Sequence, residues 1–159
     1  MVGVTNALNV AADGLAAALP PLADADAGAE ARAVFGDVRS FYGGGEIPTP
    51  FRVIARDPAY LADVFGAVQR AFSDRRLTRR HKEALAFAVS LTTRSAFGLG
   101  FHLGELRRLG VSEGGIMEVV GVAQMFSSYT KIADTLQLES DMAHLAPSDM
   151  SGVPEADGG

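Results

Sequence analysis

Two side chains of this sequence are placed to move protons. Glu83 enters the most apolar stretch of the chain, and His102 follows nineteen positions later in the middle of a helical segment. A carboxylate held among apolar side chains can act as a general acid or base near neutral pH, because lost hydration disfavours its charge. An imidazole does so without help. The structural alternatives are a glutamate that caps or pairs with an arginine at a subunit interface, and a histidine satisfied inside a core. Gly98 lies one helical turn before His102, and Gly100 two positions before it. Residues at i and i+4 share a helix face. A glycine there costs roughly 1 kcal/mol against alanine, which points to close approach by a backbone or a ligand. The expectation is an open volume beside the imidazole. Ser95 shares that face two turns away, about 10 Å along a straight helix, too far for a direct nucleophile–base pair. It reads as a helix cap, or as a substrate contact bridged to His102.

Around this group, Arg94 could hold a substrate carboxylate bidentately or form a surface ion pair. Phe97 and Phe101 suit a pocket wall or the core, and Tyr129 suits an inward position with its hydroxyl satisfied. The basic run Arg75, Arg76, Arg79, Arg80, His81 and Lys82 reads as a solvated or interface face, since no interleaved aromatics accompany it. The three histidines, His81, His102 and His144, form no close pair in sequence, so a metal site would need carboxylates from elsewhere. No cysteine is present, which removes disulfides, thiolate ligands and thiol nucleophiles.

The elements that must position these residues are helices. Val4, Leu8, Ala11, Leu15 and Leu19 recur at helical spacing over 4–19, before Pro20 and Pro21. A second stripe of Ala31, Val34, Phe35, Val38, Phe41 and Tyr42 ends at Gly43–Gly45. Pro48 and Pro50 predict an extended connection. Asp57-Pro58 starts a helix whose inner face is Leu61, Val64, Phe65, Val68 and Phe72. Thr78 caps the next, where Ala84–Leu91 reads as buried all round. The run Thr92–Ser95 breaks it. The following helix closes on Arg107 and Arg108 with Gly110 beyond, and Ser112 caps the last. The inner face of that last helix reads as Ile116, Val119, Val120, Ala123, Phe126, Ile132 and Leu136. No strand alternation appears. The expected organisation is an N-terminal helix and linker over 1–25, a helical domain over 26–144 and a disordered acidic tail over 145–159.

The chain's 159 residues suit one core, with 48% apolar and 21% charged residues. A net charge of −5 argues against a general nucleic-acid binder. No segment approaches the ~20 apolar residues of a membrane span, and no basic residue precedes Arg32 as a secretory signal requires. The expected location is the cytoplasm.

One pattern is specific. Glu83, then Ser95-Ala-Phe-Gly98-Leu-Gly-Phe-His102, resembles the glutamate and C-x-x-C-x-x-x-H motif of the alkylhydroperoxidase D-like/carboxymuconolactone decarboxylase superfamily. Flanking text is similar: Pro48-Thr-Pro-Phe-Arg, Asp57-Pro-Ala-Tyr-Leu, Lys82-Glu83-Ala-Leu-Ala-Phe-Ala-Val-Ser90 and Leu109-Gly110-Val-Ser112. The likeness spans roughly residues 35–140. The glutamate, the histidine and their separation are kept, while Ser95 and Gly98 replace both cysteines. The resemblance implies an all-α, AhpD-like fold and homo-oligomers, commonly trimers or hexamers, with the site near a subunit boundary. It implies that Glu83 and His102 are the proton carriers, and with both cysteines replaced their relay has no thiol to serve, so no thiol peroxidase chemistry is expected. The cysteine-free branch implies cofactor-free acid–base catalysis, as decarboxylase, lactone-processing or isomerase chemistry on a small carboxylated or carbonyl metabolite. Two other expectations stand beside it: a non-catalytic small-molecule-binding or scaffold member, and a metal- or haem-dependent enzyme using His102.

Overall fold

A computed structural model describes residues 19–139. The expected helix over 4–19 and the expected tail over 145–159 lie almost wholly outside these residues. Among the described residues there are six helices and no strand: α1 (Ala29–Phe41), α2 (Thr49–Ile54), α3 (Pro58–Phe72), α4 (Arg79–Thr93), α5 (Ala96–Arg108) and α6 (Glu113–Leu136). They divide after Ala71 into two units, 19–71 and 72–139 of the described chain.

In the first unit, α1 and α3 bury their apolar stripes around Phe35, Val38, Phe51, Leu61 and Phe65. Phe41 and Phe51 meet Phe65 edge-on, at ring separations of 5.8 and 5.7 Å, the arrangement that the aromatic quadrupole favours. The connection expected to stay extended instead contains α2. Pro48 is its N-cap and Pro50 lies in its first turn. A proline within the first turn removes no intrahelical hydrogen bond. The turn is fixed from outside, since Arg52 donates to Leu22 O at 3.1 Å and to Asp24 Oδ1 at 2.8 Å.

The second unit holds α4, α5 and α6, in mutual contact around Phe87, Leu106 and Ile116. Its caps follow the sequence: Thr78 opens α4, Ser95 opens α5 and Ser112 opens α6, each hydroxyl accepting from a backbone N–H three residues on. Arg94 closes α4 in the left-handed region at φ 57°. The expectation that Ala84–Leu91 is buried on every side does not hold. Phe87 and Ser90 are buried, whereas Leu85 and Val89 are each 58% exposed. The inner face predicted for α6 is likewise met only in its first half. Ile116 and Ala123 are buried, while Phe126, Ile132 and Leu136 are exposed. The reason is length. At about 1.5 Å per residue, the 24 residues of α6 outrun the 15 of α4 and the 13 of α5.

Candidate functional site

Glu83 occupies the second turn of α4 and His102 the middle of α5. Antiparallel packing of the two helices brings them together. Glu83 Oε2 lies 2.7 Å from His102 Nδ1, and Glu83 is only 1% exposed. The other oxygen, Oε1, accepts from Arg79 Nε at 2.6 Å. Arg79 also donates through Nη2 to Glu105 Oε2 at 3.1 Å. Arg108 grips Glu105 with both arms of its fork, Nε to Oε1 at 2.8 Å and Nη2 to Oε2 at 2.7 Å. Two carboxylates thus face two guanidiniums, and their charges balance before the imidazole is counted.

Three aromatic rings complete the surroundings. Phe72 stacks on His102 at 6.0 Å and 11°, and its ring also faces the Arg79 guanidinium at 5.4 Å. Phe101 meets the imidazole edge-on at 5.3 Å, and Phe97 stacks on Phe101 at 5.8 Å. A carboxylate can only accept, so Nδ1 is the nitrogen that donates to Glu83. The second nitrogen, Nε2, has no partner among the described residues, yet no buried polar side-chain atom among them lacks one. Nε2 therefore reaches solvent. In the neutral ring it carries the lone pair, and a proton taken there leaves an imidazolium bonded to the Glu83 carboxylate.

The other expected site residues divide. Phe97 and Phe101 extend the aromatic row from His102. Ser95 is engaged as the α5 cap, accepting from Gly98 N at 3.1 Å. Gly98 is a correction, because the expected open volume is not there. A Cβ on Gly98 would sit 2.4 Å from Ser90 Oγ and 3.0 Å from Ser90 Cβ. The glycine serves the close approach of α5 to α4, the other cause of a mid-helix glycine. Arg94 is exposed at the α4 terminus. Tyr129, expected inside, is 60% exposed on the far half of α6, edge-on to Phe126 at 6.5 Å. Among the described residues neither Arg94 nor Tyr129 bonds to Glu83 or His102.

Sequence reasoning missed Arg79, Glu105 and Arg108. The basic run that holds Arg79 reads as a solvated or interface face, but the Arg79 side chain turns inward and is 12% exposed. The available signal was helical spacing. Arg79 precedes Glu83 by four positions, Glu105 follows His102 by three, and Arg108 follows Glu105 by three. Among the described residues no group of three or more His, Asp or Glu side chains is set to hold a metal. No helix among them is long and apolar enough to cross a membrane. An apolar groove of about 460 Å³ runs between α4 and α6, lined by Leu85, Ala88, Val119 and Val122 among others. Neither Glu83 nor His102 lines it.

With the geometry in place, comparisons give it a context. Residues 58–138, 81 of the 159, match the sequence profile of the carboxymuconolactone decarboxylase family. No curated protein sequence matches the chain. The crystal structure of the alkylhydroperoxidase AhpD core from Rhodospirillum rubrum ATCC 11170 is similar, with a TM-score of 0.68 at 24% identity. That match covers 74% of this chain and 87% of the other. At that identity it shows the fold, which is all-α and AhpD-like.

Proposed function

The chain belongs to the carboxymuconolactone decarboxylase family, and from that premise we propose that it is an acid–base enzyme acting on a small carboxylated or carbonyl-containing metabolite. Decarboxylation, lactone chemistry and isomerisation are the reactions within reach. The observation that carries the reading is the buried Glu83 carboxylate bonded at 2.7 Å to Nδ1 of a histidine whose Nε2 is open to solvent.

His102 Nε2 is the base. It accepts a proton from carbon or oxygen of the substrate, and the imidazolium so formed is stabilised by Glu83 through Nδ1–H. In decarboxylation the same proton is returned to the enolate or carbanion left by loss of carbon dioxide, and in isomerisation to a different carbon of the same molecule. In lactone opening the base instead takes its proton from a water that attacks the acyl carbon and delivers it to the ring oxygen that leaves. The cycle balances without a redox partner. Thiol-dependent peroxide reduction has no place in it, because the sequence holds no cysteine to attack or resolve. Phe97 and Phe101 supply an apolar wall beside the base, and Arg94 stands as a candidate partner for a substrate carboxylate.

The test is a panel of carboxylated lactones, β-keto acids and 2-oxo acids incubated with the protein in D2O and followed by NMR. Deuterium incorporation or carbon dioxide release is expected with at least one of them. It should fall on the order of 100- to 10,000-fold in His102→Asn and in Glu83→Gln. Full turnover in both folded variants would sink the proposal. Binding of panel members with neither exchange nor turnover would favour the second reading, a small-molecule-binding or scaffold member. The position of the apolar groove away from His102 supports that second reading.

A further inference from the structure

We infer that Arg79 is a positioning residue that fixes the tautomer of His102 by fixing Glu83, with Glu105 and Arg108 as its anchor. The inference rests on the acid–base reading for its purpose, but not for its test. A glutamate side chain has three rotatable bonds, and a lone Glu–His contact can swivel until either carboxylate oxygen, or neither, meets the ring. Arg79 removes that freedom. Its Nε takes Glu83 Oε1 at 2.6 Å, which leaves Oε2 as the oxygen presented to His102.

Arg79 is itself held by a partner that is in turn anchored, and by an aromatic face. Nη2 reaches Glu105 at 3.1 Å, the guanidinium lies over Phe72 at 5.4 Å, and Glu105 is pinned by the two bonds from Arg108. Phe72 also lies flat on the imidazole at 6.0 Å, so one ring sets the position of both cation and base. A planar guanidinium with donors in a rigid fork can serve two carboxylates at once, which an ammonium on a flexible stem does poorly. The groups in contact with the imidazole are Glu83 from α4, Phe101 from α5 and Phe72 from the end of α3, and Arg79 meets both Glu83 and Phe72. Glu105 and Arg108 stand behind Arg79. The consequence is chemical. With Oε2 fixed against Nδ1, the neutral ring carries its proton on Nδ1 and its lone pair on Nε2, the nitrogen open to solvent. Without that restraint a neutral imidazole favours the proton on Nε2, which would turn the outward nitrogen into a donor and remove the base.

The experiment reads the tautomer directly and needs no substrate. The full chain is labelled with 15N-histidine, the His102 signals are assigned by loss in His102→Asn, and the 15N shifts are recorded at mildly alkaline pH. Wild type is expected to show Nδ1 protonated and Nε2 bare. In Arg79→Gln the Nδ1–H form should cease to be the major one. In Arg79→Lys, which keeps the charge and most of the stem, a mixture is expected, and this variant decides the matter if Arg79→Gln does not fold. A wild-type shift pattern in either folded Arg79 variant would overturn the inference, as would an Nε2–H ring in the wild type. Failure of the catalytic reading would appear separately, as absence of substrate exchange in a protein whose His102 tautomer still follows Arg79.

Discussion

A buried carboxylate with one oxygen on a guanidinium and the other on an imidazole has few ways to rearrange. That makes the Glu83→Gln variant destabilising. It removes the charge facing Arg79 and His102, and the loss of one partner of a buried pair typically costs about 3–5 kcal/mol. Urea unfolding followed by circular dichroism should therefore show a lowered midpoint for Glu83→Gln. His102→Asn should change it far less, since Glu83 keeps Arg79 and the imidazole edge is partly open. Equal, small losses in both would mean that the network carries little of the fold. At this scale the sequence was half legible. Glu83 and His102 stood out because one enters an apolar run and the other interrupts a helix core. Arg79 and Glu105 did not, since each sits among other charges and a linear text gives them no reason to turn inward. Their inward direction depends on where α4 lies against α5, which is a tertiary fact.

The starts of α4, α5 and α6 were written in the sequence, because caps act through residues one turn away, whereas α2, which no capping side chain opens, was not. Thr78, Ser95 and Ser112 all accept from the expected N–H groups. What the text did not contain was which faces meet. Gly98 and Gly100 look alike in sequence, yet only Gly98 faces a neighbour. A methyl on Gly98 would press Ser90 Oγ at 2.4 Å, whereas one on Gly100 meets nothing within 4 Å. Overpacking of this kind costs about 1–3 kcal/mol, only partly offset by ~1 kcal/mol of helix propensity. Gly98→Ala should lower the unfolding midpoint and Gly100→Ala should raise it slightly, and a reversed order would contradict the packing of α4 on α5. In the first unit, Asp24 ties the segment before α1 to α1 and α2. Hydrogen bonds from Arg39 and then Arg52 hold its carboxyl below the ordinary value of 3.8. A carboxyl lowered in the folded state stabilises fully above its unfolded value, and that contribution is lost as pH falls through the folded one. The stability gap between wild type and Asp24→Asn should therefore be present at pH 7 and shrink below pH ~4. A gap of unchanged size in denaturation at pH 3 would show that the carboxyl does not act through its charge.

At the scale of the whole molecule the unanswered demand is the apolar face of the second unit. Leu85 and Val89 on α4, with Val122, Phe126, Ile132 and Leu136 on α6, are each more than half exposed. A contiguous patch of this kind marks an interaction surface more often than a free one. Full cover of a large apolar side chain is worth about 1.5–3 kcal/mol. Six such residues, each already partly covered and counted on both sides of a symmetric contact, supply on the order of 10 kcal/mol. That is comparable with the roughly 4–15 kcal/mol that association costs in lost freedom. A second copy of this chain is the occupant we propose, since an isologous contact needs only one self-complementary patch and α6 presents a long one. The protein should then exceed the 16.6 kDa of one chain when measured by light scattering at micromolar concentration. Phe126→Glu and Ile132→Glu should each lower that mass, because a carboxylate buried opposite its own symmetry mate meets a like charge with no partner. Glu83 and His102 do not line the groove beside this face. If the oligomer only shields the apolar surface, the dissociated variants should retain the His102 tautomer of the wild type. A single-chain mass in the wild type would contradict the assembly, and the exposed faces of α4 and α6 would then require a partner of another kind.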